Sequence, residues 1–190
     1  MRVITGSARG MNLDTLAGED VTRPTAAVVK EAIFSSIQFE LEGRTMLDLY
    51  AGCGQMGIEA LSRGAEKAPF VDSSRDAINV ITSNLKKTKL YQKSNVLCMD
   101  VGKYLESARG RYEFDYVFID PPYAARALPK TLAALYDAGL LKPTSLIICE
   151  DDKHLECDDV MISDRYELVK KTNYGRVSVT YFKPKGLEDD

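Results

Sequence analysis

The sequence predicts an α/β fold built on a mostly parallel sheet, and three observations support this prediction. From residue 45 onward, short apolar runs alternate with helical patterns, as in parallel strands joined by right-handed helical crossovers. Residues 116–119 (YVFI) and 146–149 (LIIC) are apolar throughout, which is typical of strands buried on both faces. Two strand-like runs flank Asn173-Tyr174-Gly175 and predict a closing hairpin, so at least one of the last strands should be antiparallel.

The elements follow in a regular order along the chain. Residues 1–22 place three glycines between short apolar runs, which predicts a small β-hairpin or an irregular arm. Thr25 is expected to cap a helix over about residues 26–40, where apolar side chains recur at every fourth position. Pro69 is the weak point of its strand, because proline has no N–H to give to a sheet. The expected strands are 45–50, 67–72, 95–100, 114–120, 145–150, 166–171 and 176–183, and the expected helices are 57–63, 75–88, 101–108 and 127–138.

Composition excludes several classes of protein. The chain has 190 residues, the size of one domain, and lacks the long apolar run of a transmembrane helix or a secretory signal. His154 is the only histidine, so a histidine-rich zinc site is excluded and we expect no metal. The four cysteines stand far apart, which fits reduced thiols in the cytoplasm. The net charge of −3 requires any surface for nucleic acid to be local.

A glycine-rich loop follows the first core strand and opens the next helix. The spacing Gly52-x-Gly54-x-x-Gly57 matches the fingerprint of dinucleotide-binding loops. Glycines allow the backbone to turn tightly and to approach a ligand without a clash at Cβ. The alternative reading is that these glycines serve only the packing of strand against helix.

Acidic residues stand at or near the ends of the first three core strands. Asp72 is placed to hold ribose hydroxyls, and Asp100 to accept from an adenine amino group, although aspartate is also a common helix cap. These positions fit NAD or S-adenosylmethionine. Asp48 favours S-adenosylmethionine, because a carboxylate suits a cationic amino group and a sulfonium better than a pyrophosphate.

The segment Asp120-Pro121-Pro122-Tyr123 ends the fourth core strand. The prolines have no N–H to donate, so this turn offers hydrogen-bond acceptors only. The Asp120 carboxylate and the Pro121 carbonyl could each accept one N–H of an exocyclic amino group, which would aim the nitrogen at an electrophile. Tyr123 could stack on a base turned out of its helix. An ordinary Pro-Pro turn is the alternative.

These motifs resemble the amino-methyltransferases that use S-adenosylmethionine to methylate exocyclic base nitrogens. More specifically, the chain resembles the bacterial family that methylates guanine N2 in 16S ribosomal RNA. The segments that carry this resemblance are residues 1–10, 22–34, 47–65 and 114–123. The resemblance implies a Rossmann-like class I methyltransferase fold with a seven-stranded sheet. It also implies one domain over 1–190, with an RNA-facing extension over 1–44 and a catalytic core over 45–190.

The expected site follows from the motifs and this resemblance together. The catalytic residues are Asp120, Pro121, Pro122 and Tyr123, and the cofactor-binding residues are Arg23, Thr25, Asp48, Ala51, Gly52, Gly54, Asp72, Ser73, Asp100 and Val101. The basic residues Arg2, Arg9, Arg126 and Lys130 are expected to contact RNA, and Lys30 is a further basic candidate in the first helix. So small a surface suits 16S ribosomal RNA within a partly assembled small subunit.

Three other functions remain open on the sequence alone. A DNA adenine-N6 methyltransferase would use the same catalytic turn, but the chain leaves no room for a separate target-recognition domain. An NAD-linked oxidoreductase would use the glycine loop, and a non-catalytic RNA-binding module would use neither motif. Whether Asp120 accepts a proton or only orients the amine is equally open.

Overall fold

The computed structural model describes residues 1–16, 24–122, 127–151 and 155–188, without the side chains of residues 24 and 25. The chain divides into two compact units, Met1–Met99 and Asp100–Asp190. Within the described residues the helices are α1 Pro24–Ile37, α2 Gln55–Ser62, α3 Arg75–Lys87, α4 Val101–Ala108, α5 Leu128–Asp137 and α6 Val160–Ser163. The strands are β1 Met46–Leu49, β2 Ala68–Asp72, β3 Ser94–Cys98, β4 Phe114–Ile119, β5 Leu141–Asp151, β6 Tyr166–Tyr174 and β7 Val177–Pro184.

The seven described strands form one sheet in the order β3-β2-β1-β4-β5-β7-β6. In the first unit β2 pairs in parallel with both β1 and β3. In the second unit β4 and β5 are parallel, while β7 is antiparallel to both β5 and β6. The predicted sheet, mostly parallel with an antiparallel C-terminal hairpin, is therefore confirmed.

Several predicted boundaries are wrong, each for a local reason. Helix α1 begins at Pro24, so Thr25 lies inside the helix and cannot cap it. Proline suits the first turn because its fixed φ is already helical and its missing N–H is not needed there. Helix α2 begins at Gln55, directly after the left-handed Gly54. Helix α6 was not predicted, since four residues are too few for a periodic pattern; the Asp159 side chain caps it by accepting from the Met161 N–H at 2.8 Å.

Pro69 lies within β2, and the sheet accommodates it on one side. The pairing of β2 with β3 includes Pro69, opposite Asn95. The pairing with β1 covers only Asp48 and Leu49, opposite Phe70 and Val71. The ladder is therefore interrupted on the β1 side, as expected for a residue without an N–H.

Residues 1–16 form an arm held by turns and by one antiparallel bridge between Arg2 and Asn12. This confirms the prediction of an irregular arm for the described part of residues 1–22. The side chains of Val3, Ala8 and Leu13 are buried. The arm thus belongs to the core of the first unit. No described helix has the length and apolar character needed to span a membrane.

Candidate active site

The glycine loop turns sharply between β1 and α2. Tyr50 adopts a positive φ of 59°, which is uncommon for a residue with a large side chain. The Ala51 N–H donates to the Val71 carbonyl at 3.1 Å, and the Gly54 N–H donates to the Ala51 carbonyl at 2.7 Å. The loop is therefore fixed to β2 and closed on itself before α2 begins.

The three glycines of the motif have different roles. A Cβ on Gly57 would lie 2.4 Å from the Phe70 ring, so this glycine serves the packing of α2 against β2. Gly54 has a φ of +77°, and a Cβ there would approach the Ile81 side chain at 3.1 Å. Gly52, at φ +55°, has no described atom within 4 Å of such a Cβ. The packing interpretation accounts for Gly57, whereas Gly52 leaves room for a ligand beside the backbone.

Asp72 connects the end of β2 to this loop. Its Oδ2 accepts a hydrogen bond from the Gly52 N–H at 2.9 Å, and its Oδ1 accepts from the Ser74 N–H at 2.8 Å. The Ser74 side chain caps α3 by accepting from the Ala77 N–H at 3.3 Å. Asp72 and the adjacent Ser73 therefore lie at the open edge next to Gly52, where the sequence places the ribose contact.

Asp48 supports the loop from inside the first unit. It is 1% exposed, and its Oδ2 accepts from the Gly57 N–H at 2.9 Å. Burial raises the pKa of Asp48 to about 8, the Gly57 hydrogen bond opposes that rise, and the charge on Asp72 adds to it. A direct contact between Asp48 and a ligand stays a prediction, because the described contact of this carboxylate is with the loop.

Two further side chains at the loop were not predicted. The Oε1 of Gln55, the first residue of α2, is buried and has no hydrogen-bond partner among the described residues. Asn84 is fully buried and donates to the Cys53 carbonyl at 3.0 Å. The same side chain accepts from the Asp14 N–H at 2.8 Å and donates to the Asp14 carbonyl at 3.0 Å. The sequence gives no signal for Asn84, whose partners stand 31 and 70 residues away.

These features fit the nucleoside and amino-acid parts of S-adenosylmethionine. Hydroxyl and ammonium groups of that molecule are donors, and this edge of the first unit offers charged and neutral acceptors on Asp72 and Gln55. Gly52 offers space for a close approach. Among the described residues, no cluster of His, Cys, Asp or Glu side chains is arranged to hold a metal ion.

In the second unit, Asp100 caps α4. Its exposed side chain accepts from the Lys103 N–H at 3.1 Å, and Val101 behind it is buried. The capping role that the sequence left as an alternative is therefore present. A contact between Asp100 or Val101 and an adenine stays a prediction.

The predicted catalytic turn follows β4, whose six residues are all buried. Ile119, the last of them, pairs with Cys149 in the parallel strand β5. Asp120 is half-buried, Pro121 is buried and Pro122 is exposed. Tyr123 lies outside the described residues, as do Arg23 and Arg126, and the Thr25 side chain is not described. The turn thus stands at the carboxyl end of a core strand, where open α/β sheets bind ligands.

The N-terminal arm is attached to α2 by buried polar groups. The Glu59 carboxylate, which is fully buried, accepts from the Ile4 N–H at 2.8 Å and from the Thr5 N–H at 3.0 Å. It also accepts from the Arg63 Nε at 2.8 Å. The Lys30 Nζ lies 3.6 Å from the same carboxylate and donates to the Arg2 carbonyl at 2.7 Å. These contacts fix the course of the arm over the first unit.

The exposure of the basic side chains distinguishes the residues that could contact RNA from the one that could not. Arg2 and Arg9 are exposed on the arm, and Lys130 is exposed on α5 in the second unit. Lys30 is 2% exposed, so the expectation that it contacts RNA is wrong. Burial lowers the pKa of Lys30, and Glu59 opposes this shift. A buried cation with a carboxylate partner supports structure instead of binding phosphate.

Comparisons with known proteins agree with this geometry. Residues 1–183 match the family described as "Conserved hypothetical protein 95". The "Putative rRNA methyltransferase YlbH" of Bacillus subtilis is 38% identical over 187 residues, which cover 98% of this chain and all of that protein. The "Ribosomal RNA small subunit methyltransferase D" of Haemophilus influenzae is 32% identical over 94% of this chain and 91% of its own.

A solved structure described as "Putative methyltransferase yhhF from Escherichia coli" has the same fold. It superposes with a TM-score of 0.83 at 27% identity and covers 97% of each chain. A Haemophilus influenzae protein described as a "putative methylase" superposes with a TM-score of 0.80. Both folds agree with the class I methyltransferase fold that the sequence resemblance implies.

Proposed function

Because the chain belongs to the Conserved hypothetical protein 95 family, we propose that it transfers a methyl group from S-adenosylmethionine to N2 of a guanine in 16S ribosomal RNA. The observation that carries this proposal is the Asp120-Pro121 step directly after the buried strand β4. The names of the Bacillus and Haemophilus relatives support ribosomal RNA as the substrate. The acceptor-only turn supports an amino group as the site of methylation.

The first unit supplies the groups that hold the methyl donor. S-adenosylmethionine, when bound, provides an electrophilic methyl group on a cationic sulfonium. Asp72 accepts the ribose hydroxyls, Gly52 and Ala51 give a close backbone approach, and Gln55 accepts from the amino-acid end. Asp48 holds the loop by accepting a hydrogen bond from the Gly57 N–H. Asp100 and Val101 contact the adenine, as their place in the sequence indicates.

The turn after β4 holds the amino group that is methylated. The Asp120 carboxylate and the Pro121 carbonyl accept its two N–H groups, so the nitrogen lone pair points away from them. With S-adenosylmethionine bound, the nitrogen would form the new N–C bond as the S–C bond breaks, the sulfur would keep that electron pair as a neutral thioether, and one N–H proton would pass to the Asp120 carboxylate or to solvent. Positioning of the amine supplies most of the acceleration. Tyr123, from its place in the sequence, stacks on the base that has left its helix.

The RNA substrate is recognised outside this pocket. Arg2 and Arg9 on the arm and Lys130 on α5 contact phosphates, and so does Arg126 from its place in the sequence. Because the basic surface is small, it suits an RNA that bound proteins have already folded. The substrate is therefore a partly assembled small subunit in the cytoplasm. The whole chain acts as one methyltransferase domain, with residues 1–44 facing the RNA.

The test of the mechanism uses two matched substitutions, one directly after β4 and one within it. Asp120→Asn keeps the shape of the side chain but weakens the charged acceptor, and we expect turnover to fall by about 100-fold or more. The control is Asp115→Asn within β4, which should keep its turnover; the Asp115 carboxylate accepts from the Lys142 Nζ at 2.8 Å. Turnover is measured with tritiated S-adenosylmethionine on small subunits from cells that lack this protein. Wild-type turnover in Asp120→Asn removes Asp120 from the mechanism.

The test of the substrate is mass mapping of ribosomal RNA. We expect 16S RNA from cells that lack this protein to lose one methyl group on a guanine N2 and to regain it on incubation with the purified protein. A methyl group gained on adenine, or on DNA but not on small subunits, would contradict the proposal. Thermal stabilisation by NAD instead of S-adenosylmethionine would also contradict it.

A further inference from the structure

The C-terminal hairpin is strongly basic in an acidic protein. Residues 165–186, which contain β6 and β7, carry six Lys or Arg and one Glu, a formal charge of +5. The whole chain carries −3, so the other residues together carry −8. The arm over residues 1–16 carries two arginines and one aspartate. This segment, named here the basic hairpin (residues 165–186), is therefore a locally positive part of a chain whose net charge is negative.

Three of its cations are engaged by neighbours within the second unit. Arg165 binds both carboxylate oxygens of Asp137, at 3.0 and 3.1 Å. The Lys171 Nζ donates to the Leu155 carbonyl at 2.9 Å, and the Lys185 Nζ donates to the Ser163 carbonyl at 2.8 Å. These contacts hold the hairpin against its own unit and account for half of its positive groups.

The other three cations, Lys170, Arg176 and Lys183, are exposed and are spaced along the hairpin; this set is named here the row. Lys170 stands opposite Tyr181, and Lys183 lies two residues further along β7, so both belong to one face of the hairpin. The Lys170 Nζ lies 6.0 Å from the centre of the Tyr181 ring, which keeps this ammonium group over the sheet. Arg176 follows Gly175 in the two-residue turn between β6 and β7. Arg176 and Lys183 are seven residues apart, which corresponds to roughly 24 Å of extended chain.

We propose that Lys170, Arg176 and Lys183 of the basic hairpin bind the phosphate backbone of the RNA substrate. This inference rests on the proposed function and adds a second docking surface to the predicted contacts on the arm and α5. The three exposed cations favour a polyanion as the occupant. The rest of the chain carries −8 and repels a polyanion, so the attraction is confined to this hairpin. Glu167, opposite Lys183, offsets part of the positive charge of the row.

Lysines on an edge strand could instead prevent pairing with other chains, and the experiment must distinguish this role from phosphate binding. β6 is the outermost strand of the sheet and is irregular between Leu168 and Lys170. Lysines and bulges on edge strands prevent pairing with other chains. That role predicts self-association when the lysines are neutralised, with RNA affinity unchanged. Phosphate binding predicts the opposite pair of results.

The experiment compares two triple variants that change the net charge equally. The hairpin variant carries Lys170→Gln, Arg176→Gln and Lys183→Gln, and the control variant carries Lys67→Gln, Lys89→Gln and Lys93→Gln at exposed positions of the first unit. The probes are fluorescent 16S RNA and small subunits from cells that lack this protein. We expect the hairpin variant to bind about tenfold or more weakly at 0.1 M KCl, with a salt-dependence slope lower by roughly 2–3. The control variant should stay within about twofold of wild type.

A gain-of-function variant guards against misfolding as the cause. We expect Glu167→Gln to strengthen RNA binding by roughly two- to threefold at low salt, because it removes the one acidic group of the hairpin. Affinity for S-adenosylmethionine should be the same in all variants. Equal weakening of both triple variants, an unaffected hairpin variant, or self-association with unchanged RNA affinity would each overturn the inference. If wild-type protein methylates no 16S RNA, the proposed function fails; if it methylates and the hairpin charges have no effect, only this inference fails.

Discussion

The carboxylate of Asp72 and the backbone N–H of Gly52 are joined by a hydrogen bond of 2.9 Å. This bond connects the end of β2 to the loop after β1, so two adjacent strand ends are held in one arrangement. Asp72 therefore has two tasks in our proposal: it shapes the loop and it accepts hydroxyl groups of the ligand.

Replacing Asp72 by Asn should separate these tasks. Asn keeps one oxygen for the Gly52 N–H, but it loses the second acceptor, which binds the Ser74 N–H, and the negative charge that strengthens a bond to a hydroxyl group. We expect affinity for S-adenosylmethionine to fall by about 1–3 kcal/mol, measured by titration calorimetry. Asp76→Asn, at an exposed position in the first turn of α3, serves as the control. Unchanged affinity in Asp72→Asn would contradict the proposal that the ribose hydroxyls bind Asp72.

Gly6 should be essential for seating the arm. It has a φ of +87°, and a Cβ at this position would lie 1.8 Å from the Ser62 carbonyl oxygen. We expect Gly6→Ala to lower the free energy of unfolding by about 3 kcal/mol or more in urea titrations, since the backbone must move. Gly10→Ala is the matched control: its φ is +82°, but no described atom lies within 4 Å of the added Cβ. It should lose only about 1 kcal/mol, and equal losses would show that strain in φ, not the clash, dominates.

Asp48 should make stability depend on pH. Because burial raises the pKa of Asp48 from 3.8 to about 8, the folded protein holds a proton that the unfolded chain has released between these values. The contribution of this group to the free energy of unfolding is therefore greatest below pH 3.8 and is lost as pH rises through about 8, at no more than about 1.4 kcal/mol per pH unit. Asp48→Asn should remove this slope from urea titrations between pH 5 and 8. A variant with the wild-type slope would contradict the assignment.

Asn84 should support the ligand loop from a distance. Its amide donates to the Cys53 carbonyl within the loop and also binds Asp14 of the arm. We expect Asn84→Ala to cost about 2–3 kcal/mol of stability and to weaken S-adenosylmethionine binding roughly fivefold, since buried polar groups lose their partners. Lys87→Ala removes an exposed ion pair with Asp14 at 3.0 Å but no loop contact, and should cost less than about 1 kcal/mol. If Asn84→Ala and Lys87→Ala weakened S-adenosylmethionine binding equally, Asn84 would not be a specific support of the loop.

The sequence predicts the local elements of this fold well where capping and periodicity agree. Helix α4 spans the predicted residues 101–108, because the Asp100 cap marks its start and apolar residues mark its inner face. β5 begins at Leu141, four residues earlier than predicted, since Pro143 and Thr144 conceal the strand pattern there. Such differences arise from tertiary pairing, which local patterns do not contain.

Long-range partners explain the failures at the site. Lys30 was wrongly expected to contact RNA. Its burial depends on Glu59, which lies in another helix, so the residues around Lys30 in the sequence give no sign of it. Gln55 and Asn84 had no predicted role, because a single polar residue in a helix gives no sign of what it will meet. The glycine loop and Asp72 were identified because the ends of adjacent parallel strands meet at one edge, a rule that spacing along the chain can express.

Tyr50 bears on how quickly a ligand can bind. Its left-handed backbone, at φ 59°, is unfavourable for a residue with a side chain by roughly 1–2 kcal/mol, and the surrounding fold maintains it. A segment that folding has already locked loses little conformational entropy on meeting a small molecule. We therefore expect association at this turn to be a single fast phase whose rate rises linearly with ligand concentration, with no slow rearrangement after the encounter.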